Sequence, residues 1–293
     1  MIKMNLKKEK IINKTLVLII ATTLAAVLLT GCIGNESSES GLTIVVVGRD
    51  SASGTREFFW EHVMDKEDFV QTMLEKNSNG GVYQTVKQTE GAIGYVGLGY
   101  VDNNIKAVKI NGIDANVDNV ISGDYPIARN LNMFTDGEPS GITEEFLKYI
   151  DSDQGQSIVE DEGFVPKTST GEYQTVEGLS GSITIVGSTT VLPIAEKAAE
   201  EFNKLYDDVT ITVNGGGSSV GVQSVGEGTA DIGMASREMK STEETKYPSL
   251  VKHIVCSDGI AIIVNKSNDY VDSLTVEEVK SIYLGSYSNW DEL

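Results

Sequence analysis

The sequence predicts an α/β protein with mostly parallel β-sheet, and two observations support that prediction. Short runs rich in valine and isoleucine alternate with helical patterns through most of the chain after residue 41. Glycine- and hydroxyl-rich turns stand where a predicted strand leads into a predicted helix. Strands that alternate with helices form parallel sheets covered on both faces. The 293 residues are enough for two such sheets.

The first half supplies strands at residues 42–47, 91–101, 105–110 and 125–134, and helices at 55–64 and 144–150. The run at 42–47 is rich in branched apolar residues, which is typical of a buried strand. Pro126 biases Tyr125 away from helical backbone. Glu144 and Glu145 lie in the first turn of their helix, where the helix dipole favours acidic groups.

The alternation restarts after residues 168–182, whose polar and glycine-rich composition is typical of a linker. Strands are predicted at 183–186, 209–213 and 230–234, helices at 193–206, 220–225 and 275–283, and a long apolar segment at 254–265. Pro193 suits the first turn of its helix, where the backbone needs no N–H donor.

Residues 1–31 have the features of a secretion signal, since lysines precede an apolar run at 16–29. Leu29-Thr30-Gly31-Cys32 then resembles a lipobox, in which the cysteine thiol takes a lipid and becomes the new N-terminus. The apolar run is near the lower limit of about 17 residues for spanning a bilayer, so a plain membrane helix is the alternative. We expect lipidation at Cys32 and a polar tether at 32–41.

Cys32 and Cys256 are the only cysteines. With Cys32 lipidated, Cys256 has no partner within the chain, so a disulfide scaffold is excluded and a buried free thiol is expected.

The formal charge of the whole chain is −20. Removal of residues 1–31, with five lysines and Glu9, takes it to about −24. A chain with this much negative charge repels nucleic acid and anionic membrane surfaces, which disfavours both as partners. An anionic ligand would have to be held by local amides and arginines against a field that salt screens within about 8–10 Å.

Three turns carry residues suited to a small anion: Gly48–Thr55, which includes Arg49, Gly187–Thr190 and Gly215–Ser219. Glycine lets the backbone approach a ligand, hydroxyls donate hydrogen bonds, and the following helix directs unpaired amides at the same point. Arg49 can add a bidentate bond to a tetrahedral oxyanion. One such turn alone is better explained by a serine or threonine that caps its helix. Three turns with an arginine favour an anion site.

These motifs resemble the phosphate-binding proteins that feed phosphate ABC transporters, within the periplasmic-binding-protein superfamily. Residues 49–55 and 91–96 are similar to the second half of that family. Residues 187–193, 217–222 and 231–237 are similar to its first half, and 282–285 with Trp290 and Asp291 to its middle. The resemblance covers nearly all of residues 42–293.

The resemblance implies a two-lobed, type II periplasmic-binding-protein fold that closes on a dehydrated phosphate. By motif, one lobe would hold phosphate with Arg49, Ser53, Gly54 and Thr55, and the other with Thr189, Thr190 and Ser218. The predicted phosphate-binding set is completed by Asp50, Ser51, Ser219, Ser236 and Arg237.

The carboxylate that accepts the phosphate proton in this family is displaced here. Ser236 and Arg237 stand where some relatives place an aspartate, and Asp50 is one place nearer to the arginine than in some relatives. Asp50 either accepts the proton, orients Arg49, or is a solvated turn residue. Arg237 either adds positive charge to the site or pairs with a carboxylate.

The two halves stand in reversed order compared with a usual member, which would begin near Ile183 and finish near residues 165–167. Either the chain is circularly permuted, with the linker joining the old ends, or fragments of two tandem copies pair between chains. Because residues 41–293 make up one complete member with no part doubled, we favour permutation, which close termini tolerate. A monomer and an exchanged dimer both remain open.

On this interpretation, one lobe consists of residues 42–124 plus 260–293 and carries the Arg49 turn. The other consists of residues 125–259 and carries the Thr189 and Ser218 turns. The hinge would be formed by the crossing strands near 125–132 and 256–264.

We therefore expect a lipid-anchored solute-binding protein on the extracytoplasmic face of the membrane, which captures inorganic phosphate for the permease of an ABC-type importer without a cofactor or metal. The alternatives are a binder of another tetrahedral oxyanion, a phosphate-sensing receptor without a transport role, and a phosphatase. His62 and His253 are the only histidines. Neither belongs to a metal-ligand pattern or a nucleophile–base pair, which disfavours the enzyme.

Overall fold

The computed structural model describes residues 41–293, so the predicted signal peptide and Cys32 lie outside the described residues. The strands of this part are β1 (Val45–Arg49), β2 (Leu74–Lys76), β3 (Ala92–Gly97), β4 (Ile105–Ile110), β5 (Ala128–Asp136), β6 (Gly181–Gly187), β7 (Val209–Asn214), β8 (Ile232–Ala235), β9 (Leu250–Asn265) and β10 (Ser273–Leu274).

The α-helices of the same part are α1 (Gly54–His62), α2 (Asn79–Gln88), α3 (Val117–Ser122), α4 (Gly141–Asp151), α5 (Asp153–Asp161), α6 (Leu192–Asn203), α7 (Ser218–Gly226), α8 (Ser241–Lys246) and α9 (Val276–Leu284). Two short 3₁₀ turns lie at Leu98–Tyr100 and Trp290–Glu292. The first of these ends β3 at Gly97, earlier than the strand predicted over 91–101.

The strands follow one another in the order β2-β1-β3-β9-β5-β8-β6-β7, with β4 beside β9 and β10 beside β4. β1 is parallel to β2 and β3, and β6 is parallel to β7 and β8. The pairs made by β5 and β9 are antiparallel. Each half of the chain thus builds the same local order, second–first–third strand, next to a crossing strand.

β9 is a single strand of 16 residues that serves both halves of the molecule. Residues 250–259 pair with β5, whereas residues 260–264 pair with β3. A strand this long reaches from one set of parallel strands to the other. Together with β5 it forms the two crossing connections.

In residues 41–293, two large hydrophobic cores lie on either side of the crossing strands, and a smaller third cluster consists of Phe134, Val222, Val225, Ala235 and Tyr247. The first gathers apolar side chains from β1, β3, β4, α1, α2 and α9 together with Ile260–Val264 of β9. The second gathers those of β6, β8, α4, α5 and α6 together with Val255 and Cys256. We call the first the Arg49 lobe and the second the Thr189 lobe. Cys256 is a free thiol and fully buried.

The C-terminal end of the chain lies against the beginning of the Arg49 lobe. Trp290 donates its backbone N–H to Leu42 O at 2.9 Å, and Ile44 donates to Ser288 O at 2.9 Å. The indole of Trp290 is buried and donates to Gly91 O at 3.0 Å. Residues 42 and 290 are therefore neighbours in space, although they are far apart along the chain.

The segment between the halves carries no helix or strand from residue 166 to residue 180, and β6 begins at Gly181, inside the linker predicted over 168–182. Tyr173 fastens this segment to the Thr189 lobe. Its hydroxyl is 2.6 Å from Tyr206 Oη and donates to Glu145 at 3.0 Å. The linker is thus packed against its lobe by specific contacts.

Candidate functional site

The first anion-type turn connects β1 to α1. Ser53 caps the helix by accepting a hydrogen bond from Arg56 N at 3.2 Å. Arg49, the last residue of β1, is 1% exposed and donates from Nε to Lys76 O and from Nη2 to Asn77 O, both at 3.2 Å. Burial lowers the pKa of the Arg49 guanidinium, and Tyr95 and Asp50 oppose that fall. The guanidinium of Arg49 is therefore buried at the start of the turn.

Asp50 and Ser51 lie next to Arg49 in different surroundings. The Oδ1 atom of Asp50 is buried and has no hydrogen-bond partner among the described residues. Ser51 is exposed. A buried carboxylate oxygen without a donor raises the free energy of the folded state. The Oδ1 atom of Asp50 is therefore an acceptor that a ligand could use, next to Arg49 in the turn.

The other two turns lie side by side in the Thr189 lobe. Gly187 O accepts a hydrogen bond from Gly217 N at 2.9 Å, which ties the turn before α6 to the turn before α7. Ser218, the first residue of α7, accepts from Ser236 N at 3.0 Å, and the two hydroxyl oxygens are 3.3 Å apart. The hydroxyl-bearing residues of these turns, Thr189, Thr190, Ser218 and Ser236, are all buried.

The turns of the two lobes contact each other directly. Thr55 Oγ1 is 3.1 Å from Thr190 Oγ1, and Ser219 N donates to Ala52 O at 3.1 Å. Gly54 faces Ser218 so closely that a Cβ at position 54 would collide with the serine hydroxyl. Only glycine therefore permits this approach. The structure brings together Thr55 and Gly54 from one lobe with Thr190, Ser218 and Ser219 from the other.

Arg237 is held by groups of its own lobe. Its guanidinium makes two bonds of 2.7 Å to the carboxylate of Glu243 and one of 3.1 Å to Ser219 Oγ. The charge of Arg237 lowers the pKa of Glu243 against the opposing effect of burial. Of the two interpretations left open for Arg237, the structure contains the carboxylate pair.

Three buried residues at this junction are not in the predicted set: Asn79, Arg129 and Asp258. Arg129 of β5 and Asp258 of β9 form an ion pair of 2.8 Å with side chains 1% and 0% exposed. Burial raises the pKa of Asp258, and Arg129 and the amide of Leu98 oppose that rise. A buried pair between the two crossing strands fixes their spacing at the point where the lobes meet.

Arg129 also reaches the predicted site residues. Nη1 donates to Ser236 O at 3.0 Å, and Nη2 lies 3.4 Å from Thr190 Oγ1. Asn79, at the N-terminus of α2, contacts Thr189 and Thr190. The junction therefore carries a second buried arginine and a fourth helix N-terminus, beyond those of α1, α6 and α7.

An open groove of about 460 Å³ runs along the lobe boundary beside the junction, lined by residues of both lobes that include Phe58, Arg129 and Arg237. Lys240, also on its wall, donates to Glu57 of α1 at 2.8 Å. This ion pair spans the boundary between the lobes at the edge of the site.

Residues 41–293 contain no cluster of three or more histidine, cysteine or acidic side chains with metal-binding geometry. Over the same residues, no helix is both long enough and apolar enough to cross a bilayer.

Comparison with known proteins places this geometry in a family. A family model described as a PBP superfamily domain matches residues 5–154 and 172–293. The phosphate-binding protein PstS 2 of Streptococcus pneumoniae is 38% identical over 289 residues, which cover 92% of this chain and 97% of the relative. The chain belongs to the PstS family of the PBP superfamily.

The fold of the family is seen in a solved structure. The phosphate-binding protein of a phosphate ABC transporter from Streptococcus pneumoniae superposes with a TM-score of 0.69 at 37% identity, covering 85% of this chain and 99% of that chain. The two-lobed periplasmic-binding-protein fold is thereby confirmed. The match to PstS of Bacillus subtilis covers only part of each chain. The two proteins are 37% identical over 127 residues, which are 43% of this chain and 42% of the relative.

Proposed function

We propose that this protein captures inorganic phosphate outside the cytoplasm and delivers it to the membrane permease of an ABC-type importer. Membership of the PstS family supports the ligand and the transporter class. The observation that carries the proposal is the direct meeting of two anion-type turns from opposite lobes, at Thr55 and Thr190. A ligand bound between these turns contacts both lobes and so favours their closed arrangement.

The chemistry of the junction suits a tetrahedral oxyanion. Hydroxyl groups supply short, directional donors, helix N-termini supply unpaired amides, and Arg49 supplies a buried positive charge. These donors are local, so they act over distances at which the negative charge of the remaining surface is screened. We assign phosphate binding to the predicted residues around Arg49, Thr55, Thr189 and Ser218.

The lobe boundaries are part of the proposal. We assign residues 42–124 plus 260–293 to the Arg49 lobe, 125–259 to the Thr189 lobe, and the hinge to β5 and β9. Two separate hydrophobic cores support this division. The pairing of β9 with β5 at one end and with β3 at the other supports the hinge.

We further propose that the halves are circularly permuted relative to the usual family order. The contact between the beginning of β1 and the C-terminal residues supports this, because those ends would be continuous in the usual order. The partial match to the Bacillus subtilis protein also supports it, since a collinear alignment can follow only one of two exchanged halves. Lipidation at Cys32, with the protein held on the extracytoplasmic face, stays a proposal from the sequence.

The test is isothermal titration calorimetry of the protein with phosphate, comparing wild type, Arg49→Ala and a control, Lys109→Ala, which alters an exposed pair on β4. We expect Arg49→Ala to weaken phosphate binding at least roughly tenfold, the value of one charged hydrogen bond, with the control unchanged. A thermal melt of each variant monitors folding. Unchanged affinity in Arg49→Ala would contradict the role of that residue.

An assay of phosphate-ester hydrolysis on the same protein sample distinguishes the phosphatase from the binding protein. The relatives named above are binding proteins, and a binding protein should take up phosphate without hydrolysing esters. Hydrolysis of a generic phosphate ester at a rate proportional to the protein concentration would favour the enzyme. Tight phosphate binding with no turnover would favour the receptor.

A further inference from the structure

Asn79 is a buried residue whose hydrogen bonds cross between the lobes. It is 0% exposed and begins α2 in the Arg49 lobe. Its Oδ1 accepts from Gly97 N of the same lobe at 3.3 Å. Its Nδ2 donates to Thr189 Oγ1 at 3.2 Å and to Thr190 Oγ1 at 3.0 Å, both in the Thr189 lobe. One side chain therefore contacts two hydroxyls of the opposite lobe.

These contacts determine whether the two threonine hydroxyls act as donors or as acceptors toward other groups. A hydroxyl oxygen accepts at most two hydrogen bonds and donates one. Thr189 Oγ1 accepts from both the backbone N, at 3.4 Å, and the Nδ2 of Asn79. Thr190 Oγ1 accepts from Asn79 Nδ2 and from Arg129 Nη2, the latter at 3.4 Å. With their acceptor positions occupied by N–H groups, both hydroxyls are left to act as donors. Thr190 then donates to Thr55 Oγ1, 3.1 Å away, whereas Thr189 Oγ1 has no acceptor among the described residues and keeps its proton for a ligand.

We propose that Asn79 is a positioning residue that turns Thr189 into an obligate hydrogen-bond donor toward the bound anion. This inference rests on the proposed function. Because Asn79 and the threonines belong to different lobes, the polarity is set when the lobes close. Hydroxyls that are already oriented lose less freedom on binding, and such preorganisation raises affinity. It also favours an oxyanion, which offers acceptors, over a ligand that offers donors.

Calorimetric titration with inorganic phosphate can measure this role in a double-mutant cycle of Asn79→Ala, Thr189→Val and the double variant. Gln84→Ala is the matched control, since it removes an exposed amide from the same helix. We expect Asn79→Ala to weaken binding about tenfold, the size of one hydrogen bond to a charged ligand, and the control to bind as wild type. In the Thr189→Val background the loss caused by Asn79→Ala should be clearly smaller, because one of its targets is gone.

The outcomes separate the two proposals. If wild type binds no phosphate, both fall. If wild type binds and Thr189→Val weakens binding but Asn79→Ala does not, only the role of Asn79 falls. The role of Asn79 would also be overturned if the loss of affinity in the double variant equalled the product of the two single losses, since Asn79 would then act independently of Thr189. Should Asn79→Ala melt well below wild type, Asn79→Leu serves in the same cycle, because it keeps a similar side-chain volume and lacks the donor without adding a charge.

Discussion

Asp50 is the residue on which ion selectivity depends in our interpretation. Phosphate carries a proton at neutral pH and sulfate does not, so a carboxylate in the site attracts the first and repels the second. Ser236 donates its backbone N–H to Ser218 Oγ and carries no charge. The buried Oδ1 of Asp50, with no partner among the described residues, is the acceptor nearest in sequence to Arg49.

We expect Asp50→Asn to narrow the preference for phosphate over sulfate by roughly tenfold or more, the factor given by one charged hydrogen bond. Phosphate should bind more weakly because the proton acceptor loses its charge, and sulfate should bind more strongly because the repulsion is removed. Calorimetry with both ions in one buffer measures the ratio. An equal loss for both ions would instead assign Asp50 to the orientation of Arg49.

At the level of single residues, chemistry and local pattern together predict which side chains meet at the junction, whereas their contact with phosphate stays a prediction. Thr55, Thr190 and Ser218 were predicted from their turns, and the structure places them at one junction. Asn79 was missed although its segment, Asn77-Ser78-Asn79-Gly80-Gly81, has the same composition as the predicted turns. Arg129 and Asp258 had no local signal, because their pairing depends on two strands that are 129 residues apart.

Elements were predicted well where they begin with a cap or a proline. The helix predicted from residue 193 begins at Leu192, and the one predicted from residue 55 begins at Gly54 behind its Ser53 cap. The crossing of β9 from one lobe to the other was less visible. Its apolar part, 254–265, was predicted. Leu250–His253 are half-buried or exposed, and their strand forms because β5 supplies the hydrogen bonds.

Helix α1 and the segment before α8 face each other across the lobe boundary, where Lys240 donates to Glu57 at 2.8 Å. We expect Lys240→Ala to weaken phosphate binding two- to threefold at low salt, because a partly exposed ion pair contributes about 0–1 kcal/mol and this pair joins the two lobes. The effect should fade at high salt.

Lys197→Ala is the control for that experiment, since Lys197 pairs with Glu200 and Glu201 inside one helix of the Thr189 lobe. It removes a similar ion pair without touching the boundary. If both variants change the phosphate affinity equally, or if Lys240→Ala has no effect at low salt, the pair does not stabilise the closed form.

On the scale of the whole molecule, the proposed reversal of the two halves would be tolerated because the fold is nearly repetitive. β2-β1-β3 and β7-β6-β8 have the same arrangement, and each set is completed by a crossing strand from the other half. Either half can therefore come first without changing which strands are neighbours. The order of the halves changes only which strand follows the N-terminal segment. In this chain that strand is β1, which leads into the Arg49 turn.

A chain re-permuted to the usual order should consequently fold and bind phosphate. It would start at Gly181, continue through Leu293 into Leu42 by a short flexible joint, and end at Lys167. We expect its affinity by calorimetry to lie within about threefold of the chain in its natural order, because the joined ends already contact each other through Trp290 and Leu42 and such termini tolerate permutation.

Light scattering of both forms distinguishes permutation from exchange between chains. A monomer that binds one phosphate in either order is the expected result, since all the turns of the site then come from one chain. If the natural chain binds phosphate only as a dimer, while the re-permuted chain aggregates, the halves of different chains must complete one another. Permutation would then be wrong, and the contact between the C-terminal residues and β1 would be one that two chains exchange.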